Sequence, residues 1–420
     1  MSMHAATVRD AFRSVRALTD ALAEPLSPED QTVQSMPDVS PTKWHRAHTT
    51  WFFETFVLGE FADGYEPADP LFRELFNSYY EGVGPQFARV DRGLLSRPGA
   101  AEIAAYRARV DAAVLELFTT DSEDPELHAF IELGVQHEQQ HQELLLMDIK
   151  HVLSINPLEP VYRPLAAVSS ARPRPLGWHE FDGGVVEIGA AGDGFTFDNE
   201  LPRHVAHTYP FSLADRLVTA EEWIAFIDDG GYERADLWLS DGWHAVKAHG
   251  WEAPLYWRRR DDGWVVHTLG GVREVVAAEP VCHVSFYEAD AFARWAGKRL
   301  PTEVEWEHAA ITGEVTERRP YSLDALHPMP STSSGGCLDQ LVGETWQWTA
   351  SSYLPYPGFE PAPGAVGEYN GKFMSGQMVL RGSSAFTPTG HSRPTYRNFF
   401  PPAARWALSG VRLADGGTPA

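Results

Sequence analysis

The stretch HEQQH, residues 137–141, lies inside a longer run, PELHAFIELGVQHEQQHQELLLMDIKHVL (residues 125–153), and the reading of that run decides the architecture. Leu133, His137, His141 and Leu145 recur every four residues. On a helix that spacing stacks side chains one turn apart on a single face. Two imidazoles on an inward stripe cost free energy unless something engages them, and side chains four apart can reach one ion. A helix of this length also needs partners for its apolar face, and three more helical segments precede it. In ATVRDAFRSVRALTDALAE (6–24) the stripe is Val8, Phe12, Val15, Leu18 and Leu22. SPTKWHRAHTTWFFETFVL (40–58) opens with Ser40 as the expected N-cap and Pro41 at the first helical position. AAEIAAYRARVDAAVLELF (100–118) supplies the other. Four helices over residues 1–155 predict a bundle, an architecture whose core often carries metal sites on facing helices.

In the second helix Trp44, His48, Trp51 or Phe52, and Thr55 share a stripe, so His48 is aimed inward and His45 falls off it. His48, His137 and His141 make a candidate facial triad. Three neutral imidazoles suit Zn, Fe(II) or Cu, and a catalytic metal keeps open positions for substrate. HEQQH also matches the zinc metalloprotease signature, with Glu138 as general base. The third ligand of such proteases usually follows the motif, whereas His48 precedes it by roughly 90 residues. Glu138 is turned about 100° from His137 around the helix, and reads equally as a solvated or outer carboxylate.

Net charge is −24 in 420 residues, which opposes nucleic acid and anionic membrane surfaces. No apolar run approaches the roughly 18 residues of a membrane span, and the first residues lack a secretory core. With Cys282 and Cys337 as the only cysteines, the expectation is a reduced, cytoplasmic, monomeric protein without a thiolate zinc site. Fourteen tryptophans and 12% aromatic residues fit a large irregular core or an aromatic-lined pocket.

Five prolines in NPLEPVYRPLAAVSSARPRPLG (156–177) mark a linker. Beyond it, over residues 178–420, short runs such as GGVVEIGA, GWVVHTL and REVVAA alternate irregularly with Gly, Asp and Pro. TAEEWIAFIDD and FYEADAFARWAG have helical spacing. The pattern predicts a loop-rich α+β domain.

Several phrases of that half are diagnostic: VEIGAAGDGFTFDNELPRH, PVCHVSFYEADAFARWAGKRLPTEVEWEHAA, GETWQWTASSYLPYPGF, VLRGSS and RWALSGVRLA. In order, over residues 178–414, they resemble the formylglycine-generating-enzyme (sulfatase-modifying-factor, C-type-lectin-like) fold. AHTTWFFE with HEQQH resembles DinB-like four-helix bundles. Joined in this order the halves resemble the ergothioneine sulfoxide synthase family of non-haem iron enzymes. The resemblance implies Fe(II) on His48, His137 and His141, and a reaction joining the sulfur of a thiol to the imidazole C2 of hercynine with O2. Copper chemistry of the formylglycine enzymes is not implied, because the cysteine pair they use is missing here.

Within the family, an Asn-Trp-Asp run near the chain end accompanies γ-glutamylcysteine as donor. Here the corresponding residues are Asn398, Phe399 and Phe400, and FNSYYEGVG places Tyr79 and Tyr80 after the second helix. Both departures resemble the branch that uses free cysteine. By that resemblance Tyr79 and Tyr80 are candidate catalytic phenols. Arg89 and Arg92 are candidates to clamp the cysteine carboxylate. Gln140, Asn398, Phe399 and Phe400 would line a hercynine site to which both halves contribute, an aromatic wall suiting a quaternary ammonium. Other readings are a selenoneine synthase taking a selenosugar, the metal-dependent hydrolase above, and a non-catalytic binding module. Ovothiol-type synthases often carry an added methyltransferase domain that is absent here.

Overall fold

The computed structural model describes residues 5–120, 124–168, 172–192, 194–261 and 263–417. The chain adopts the expected α+β class and divides into two compact units. The first comprises residues 1–162 with two short returning segments, 192–196 and 361–369; the second comprises 163–191, 197–360 and 370–420.

Four long helices build the first unit: α1 (Ala5–Ala23), α2 (Thr42–Phe53), α3 (Ala100–Thr120) and α4 (Pro125–Ser154). The α1 stripe is buried at Val8, Phe12, Val15 and Leu22, and half-buried at Leu18. The start of α4 is capped by a side chain. Pro125 stands in the first turn and the Asp124 carboxylate accepts the Glu126 N–H at 2.8 Å.

The start of α2 departs from expectation by one residue. Pro41 is the N-cap and no side chain caps the helix. The Ser40 hydroxyl is taken instead by Arg92, whose Nη1 donates to it at 3.0 Å. All twelve α2 residues are buried, so this helix has no solvated face at all. It runs on into a π turn, Glu54–Leu58, a rare geometry found mostly at functional sites. The Glu54 carboxylate there accepts Tyr65 Oη, the Ala68 N–H and Tyr106 Oη at 2.9, 2.9 and 2.7 Å. It borders a cavity of about 760 Å³ that also touches Trp51, Phe56, Arg73 and Ala365.

Two details set the spacing of this unit. At Gly134 of α4 an added Cβ would sit 2.4 Å from Cε1 of the fully buried Phe53. Only glycine lets the ring of α2 press onto the α4 backbone there. The returning segment 361–369 joins through Glu368, whose carboxylate accepts the N–H groups of Glu81 and Gly82 at 2.8 and 2.9 Å.

Among the described residues the second unit holds four small sheets. The largest is built from β1 (Trp346–Ser352), β2 (Met378–Arg381), β3 (Asn398–Phe400) and β4 (Ser409–Gly410), in the order β3-β2-β1-β4. Its helices Ala220–Asp228, Phe286–Trp295 and Glu303–Thr312 each begin with a capping box, at Thr219/Glu222, Ser285/Glu288 and Thr302/Glu305. Trp223, Trp306, Trp346 and Trp348 are among its largest fully buried side chains, so much of the tryptophan content is core.

The first half of the proline-rich segment is held by hydrogen bonds. Tyr162 Oη donates to the Leu22 carbonyl of the first unit at 2.5 Å. The N–H groups of Arg163 and Ala166 donate to the Leu269 and Asp324 carbonyls of the second at 3.2 and 2.7 Å. Residues 169–171 of that segment lie outside the described residues. Among the described residues no helix is long and apolar enough to cross a membrane.

Gly134→Val should lower the unfolding free energy by about 1–3 kcal/mol through overpacking, despite removing a helical glycine. Urea denaturation of the metal-free protein measures this, and an unchanged midpoint would mean that Phe53 yields freely.

Candidate metal centre

Helices α2 and α4 bring His48, His137 and His141 together so that one ring nitrogen from each lies within 4.8 Å of the others. His48 Nε2 and His137 Nε2 are 3.2 Å apart. His48 is gripped on both faces, by Trp44 at 4.7 Å and Trp51 at 5.4 Å between ring centroids. Phe52 stacks on His137 at 4.5 Å. The Nδ1–H of His48 donates to the Phe76 carbonyl at 2.6 Å, which leaves Nε2 as a lone-pair donor.

Burial, reinforced by the neighbouring imidazoles, holds His48 and His141 well below the ordinary histidine value. Burial, partly offset by the charge of Glu138, brings His137 down to about 3. All three rings are therefore neutral at physiological pH. Neutral, dry nitrogens converging on one point fit a divalent transition metal; three positive rings would repel one another and any cation.

Glu138, the residue beside His137, behaves in the opposite way. It is fully buried, which corrects the solvated alternative. Its carboxylate accepts Arg107 Nη2 at 2.6 Å, Thr19 Oγ1 at 2.6 Å and Arg16 Nη1 at 2.9 Å. Burial alone would raise its pKa, but Arg107 and Arg16 more than offset this and bring it down to about 2. An anion so stabilised and so occupied is a poor general base, and the hydrolase reading loses its catalytic group.

The FNSYYEGVG loop is shaped by Asn77, which accepts the Tyr80 N–H at 3.1 Å and donates to the Tyr80 and Gly84 carbonyls at 2.9 and 3.1 Å. Tyr80 packs against Trp51 at 5.7 Å, one indole away from His48. Tyr79 lies 4.7 Å from Tyr80 and stacks at 5.0 Å on Tyr369, a third phenol that sequence reading missed because it returns from 290 positions later. Burial raises the pKa of all three, Tyr369 to about 12. They hold their protons at neutral pH.

The two arginines differ. Arg89 is exposed and donates to the Asp38 carbonyl. Arg92 is buried, lies 3.4 Å from the Trp44 ring centroid, and has no carboxylate partner among the described residues. Burial and the charge of Arg89 lower its pKa to about 9. Gln140 stands half-buried beside His141 on α4. Asn398, Phe399 and Phe400 form strand β3 of the second unit, all half-buried. The Asn398 side chain accepts the Phe399 N–H at 2.9 Å, and Phe399 stacks on Tyr353 at 4.1 Å.

His45, which falls off the inward stripe, is nevertheless enclosed. It is buried against His141, with Nδ1 to Nδ1 at 2.9 Å. Because α2 is enclosed on every side, periodicity could not tell its inward histidine from its other one.

Two family models match the chain: the DinB superfamily over residues 11–145 and the sulfatase-modifying factor enzyme 1-like domain over residues 179–334. The hercynine oxygenase of Mycolicibacterium thermoresistibile is 34% identical over 408 residues, covering 90% of this chain and 88% of that one. The hercynine oxygenase of Mycobacterium tuberculosis is 33% identical, covering 90% and 91%. A formylglycine-generating enzyme of Streptomyces coelicolor is 34% identical over 173 residues, covering 38% of this chain and 54% of its own.

His137→Ala should abolish tight binding of one Co(II) or Fe(II) per chain, measured by chelator competition; full occupancy in that variant would refute the ligand set. Acid should also weaken the metal-free protein. Folded-state pKa values below the unfolded value of about 6.5 mean that the unfolded chain binds more protons. The unfolding midpoint should therefore hold above pH about 7 and fall progressively as pH drops toward His137's value of about 3. A midpoint that rises on acidification to pH 5 would contradict neutral imidazoles.

Proposed function

The chain belongs to the hercynine oxygenase family, and on that premise we propose that it is an iron(II)- and O2-dependent sulfoxide synthase of ergothioneine biosynthesis, joining the sulfur of cysteine to C2 of the hercynine imidazole. The reaction balances as thiol plus C2–H plus O2 giving the C–S sulfoxide and water. Carbon–sulfur bond formation and sulfur oxidation each release two electrons, and O2 takes up all four.

The observation that carries the proposal is the set of three buried, neutral imidazoles with a phenol cluster one indole away. His48, His137 and His141 would hold iron(II), which supplies O2 reduction and thiolate binding. Three protein ligands leave the positions a catalytic metal needs. Arg92 offers the cysteine carboxylate a buried cation that is ion-paired with no carboxylate among the described residues, and Arg89 adds its charge beside it. Gln140 is assigned to the hercynine imidazole. Asn398, Phe399 and Phe400 are assigned to contacts with hercynine, whose quaternary ammonium gains cation–π attraction from a ring face. Tyr79 and Tyr80, protonated throughout the neutral range, would deliver a proton during O2 reduction. The enzyme would act in the cytoplasm on small molecules.

The purified Fe(II) protein, given hercynine, cysteine and ¹⁸O2, should yield the cysteine conjugate of hercynine carrying one ¹⁸O on sulfur by mass spectrometry. Product only with γ-glutamylcysteine or a selenosugar would reassign the donor, and no product with any of these would reject the proposal. Loss of a general acid typically slows a reaction roughly 10²–10⁴-fold. The Tyr79→Phe, Tyr80→Phe double variant should lose kcat on that scale with little change in KM for hercynine, and divert cysteine to its sulfinic acid. Parental sulfoxide turnover would leave both tyrosines as packing.

A further inference from the structure

Outside the three imidazoles, the most complete unassigned polar arrangement in the first unit is a line of side chains ending on His141. Asp148 lies seven residues beyond His141, two turns along the same face of α4. His45 bridges the gap from α2. Its Nε2 is 2.9 Å from Asp148 Oδ2, and its Nδ1 is 2.9 Å from His141 Nδ1. All three side chains are buried.

The proton positions along this line follow from its far end. Asp148 Oδ2 also receives the Ser40 backbone N–H at 2.7 Å, and a backbone N–H can only donate. With Asp148 as a carboxylate, Oδ2 accepts both bonds, and His45 presents Nε2–H to it. Two states remain for the His45–His141 contact. If His45 also carried a proton on Nδ1, it would donate to His141 Nδ1, and His141 would hold its own proton on Nε2. That places an N–H where the cluster with His48 and His137 needs a lone pair. If His45 Nδ1 is bare, it accepts from His141 Nδ1–H, and His141 Nε2 is free as a donor atom.

We infer that Asp148 and His45 are positioning residues that lock His141 in its Nδ1–H tautomer and aim its Nε2 lone pair at a metal shared with His48 and His137. This rests on the metal reading above and adds a carboxylate–imidazole relay behind one ligand. The remaining ligands are treated differently: His48 is fixed by the Phe76 carbonyl, and His137 by stacking on Phe52. Partners behind a ligand typically change metal affinity 10–100-fold.

The relay is testable without loading the enzyme. In metal-free protein with ¹⁵N-labelled histidine, long-range ¹⁵N–¹H spectra should show His141 protonated on Nδ1 and bare on Nε2, and His45 the reverse. A His141 Nε2–H tautomer overturns the inference. Co(II) competition gives the second readout. His45→Leu removes the acceptor and should weaken binding about 10–100-fold and perturb the Co(II) ligand-field spectrum. His45→Gln can still accept from His141 and donate to Asp148, and should restore most of the affinity. Asp148→Asn, which keeps the shape, covers the case in which His45→Leu fails to fold. Parental affinity in His45→Leu, or equal losses in the Leu and Gln variants, overturns the relay. His141→Ala separates the two levels: if it binds Co(II) as the parent does, the ligand set itself is wrong. If only the His45 variants bind normally, the relay alone falls.

Discussion

Removing three imidazoles from water to one point is unfavourable unless each ring is held by something other than solvent, and the first unit is organised around meeting that condition. The Phe76 carbonyl holds His48, and Phe76 opens the same loop that presents Tyr79 and Tyr80. Phe52 covers His137, and His45 stands behind His141. The rings stay neutral because their surroundings are dry. Loop, α2 and α4 are thus tied by one electrostatic constraint, with Gly134 allowing the two helices the separation it needs.

Consecutive residues on α4 meet opposite environments. His137 faces the neutral cluster, whereas Glu138, a hundred degrees around the helix, enters a fully ionic one formed with Arg16 and Arg107. Through Arg16 that network reaches Asp111 on α3 and Thr50 on α2. A buried carboxylate satisfied so completely specifies how helices must sit as much as it stabilises them. Its place in a motif shared with hydrolases therefore carries no hydrolytic meaning.

Much of this was legible in the sequence. The spacing of His137 and His141 on a helix and the inward stripe of α1 correspond to local geometry, which hydrophobic period encodes directly. What escaped has a common cause. The Ser40 cap was lost to an arginine 52 residues away. His45 was assigned by a periodicity that means nothing in a helix enclosed on every side. Glu138's partners come from α1 and α3, and Tyr369 arrives from the far end of the chain. Amphipathic patterning reports which residues avoid water; it does not report which distant residues they meet.

The return of residues 361–369 to the first unit makes the chain non-modular. A fragment ending at residue 162 would keep every histidine of the cluster together with Tyr79 and Tyr80. It would lack the Glu368 carboxylate that accepts two backbone N–H groups of the tyrosine loop, and the Tyr369 ring against Tyr79. Fusion at the proline-rich segment is thus not a simple joining of two self-sufficient parts. Recombination at that segment would exchange the partners of the tyrosine loop along with the second unit.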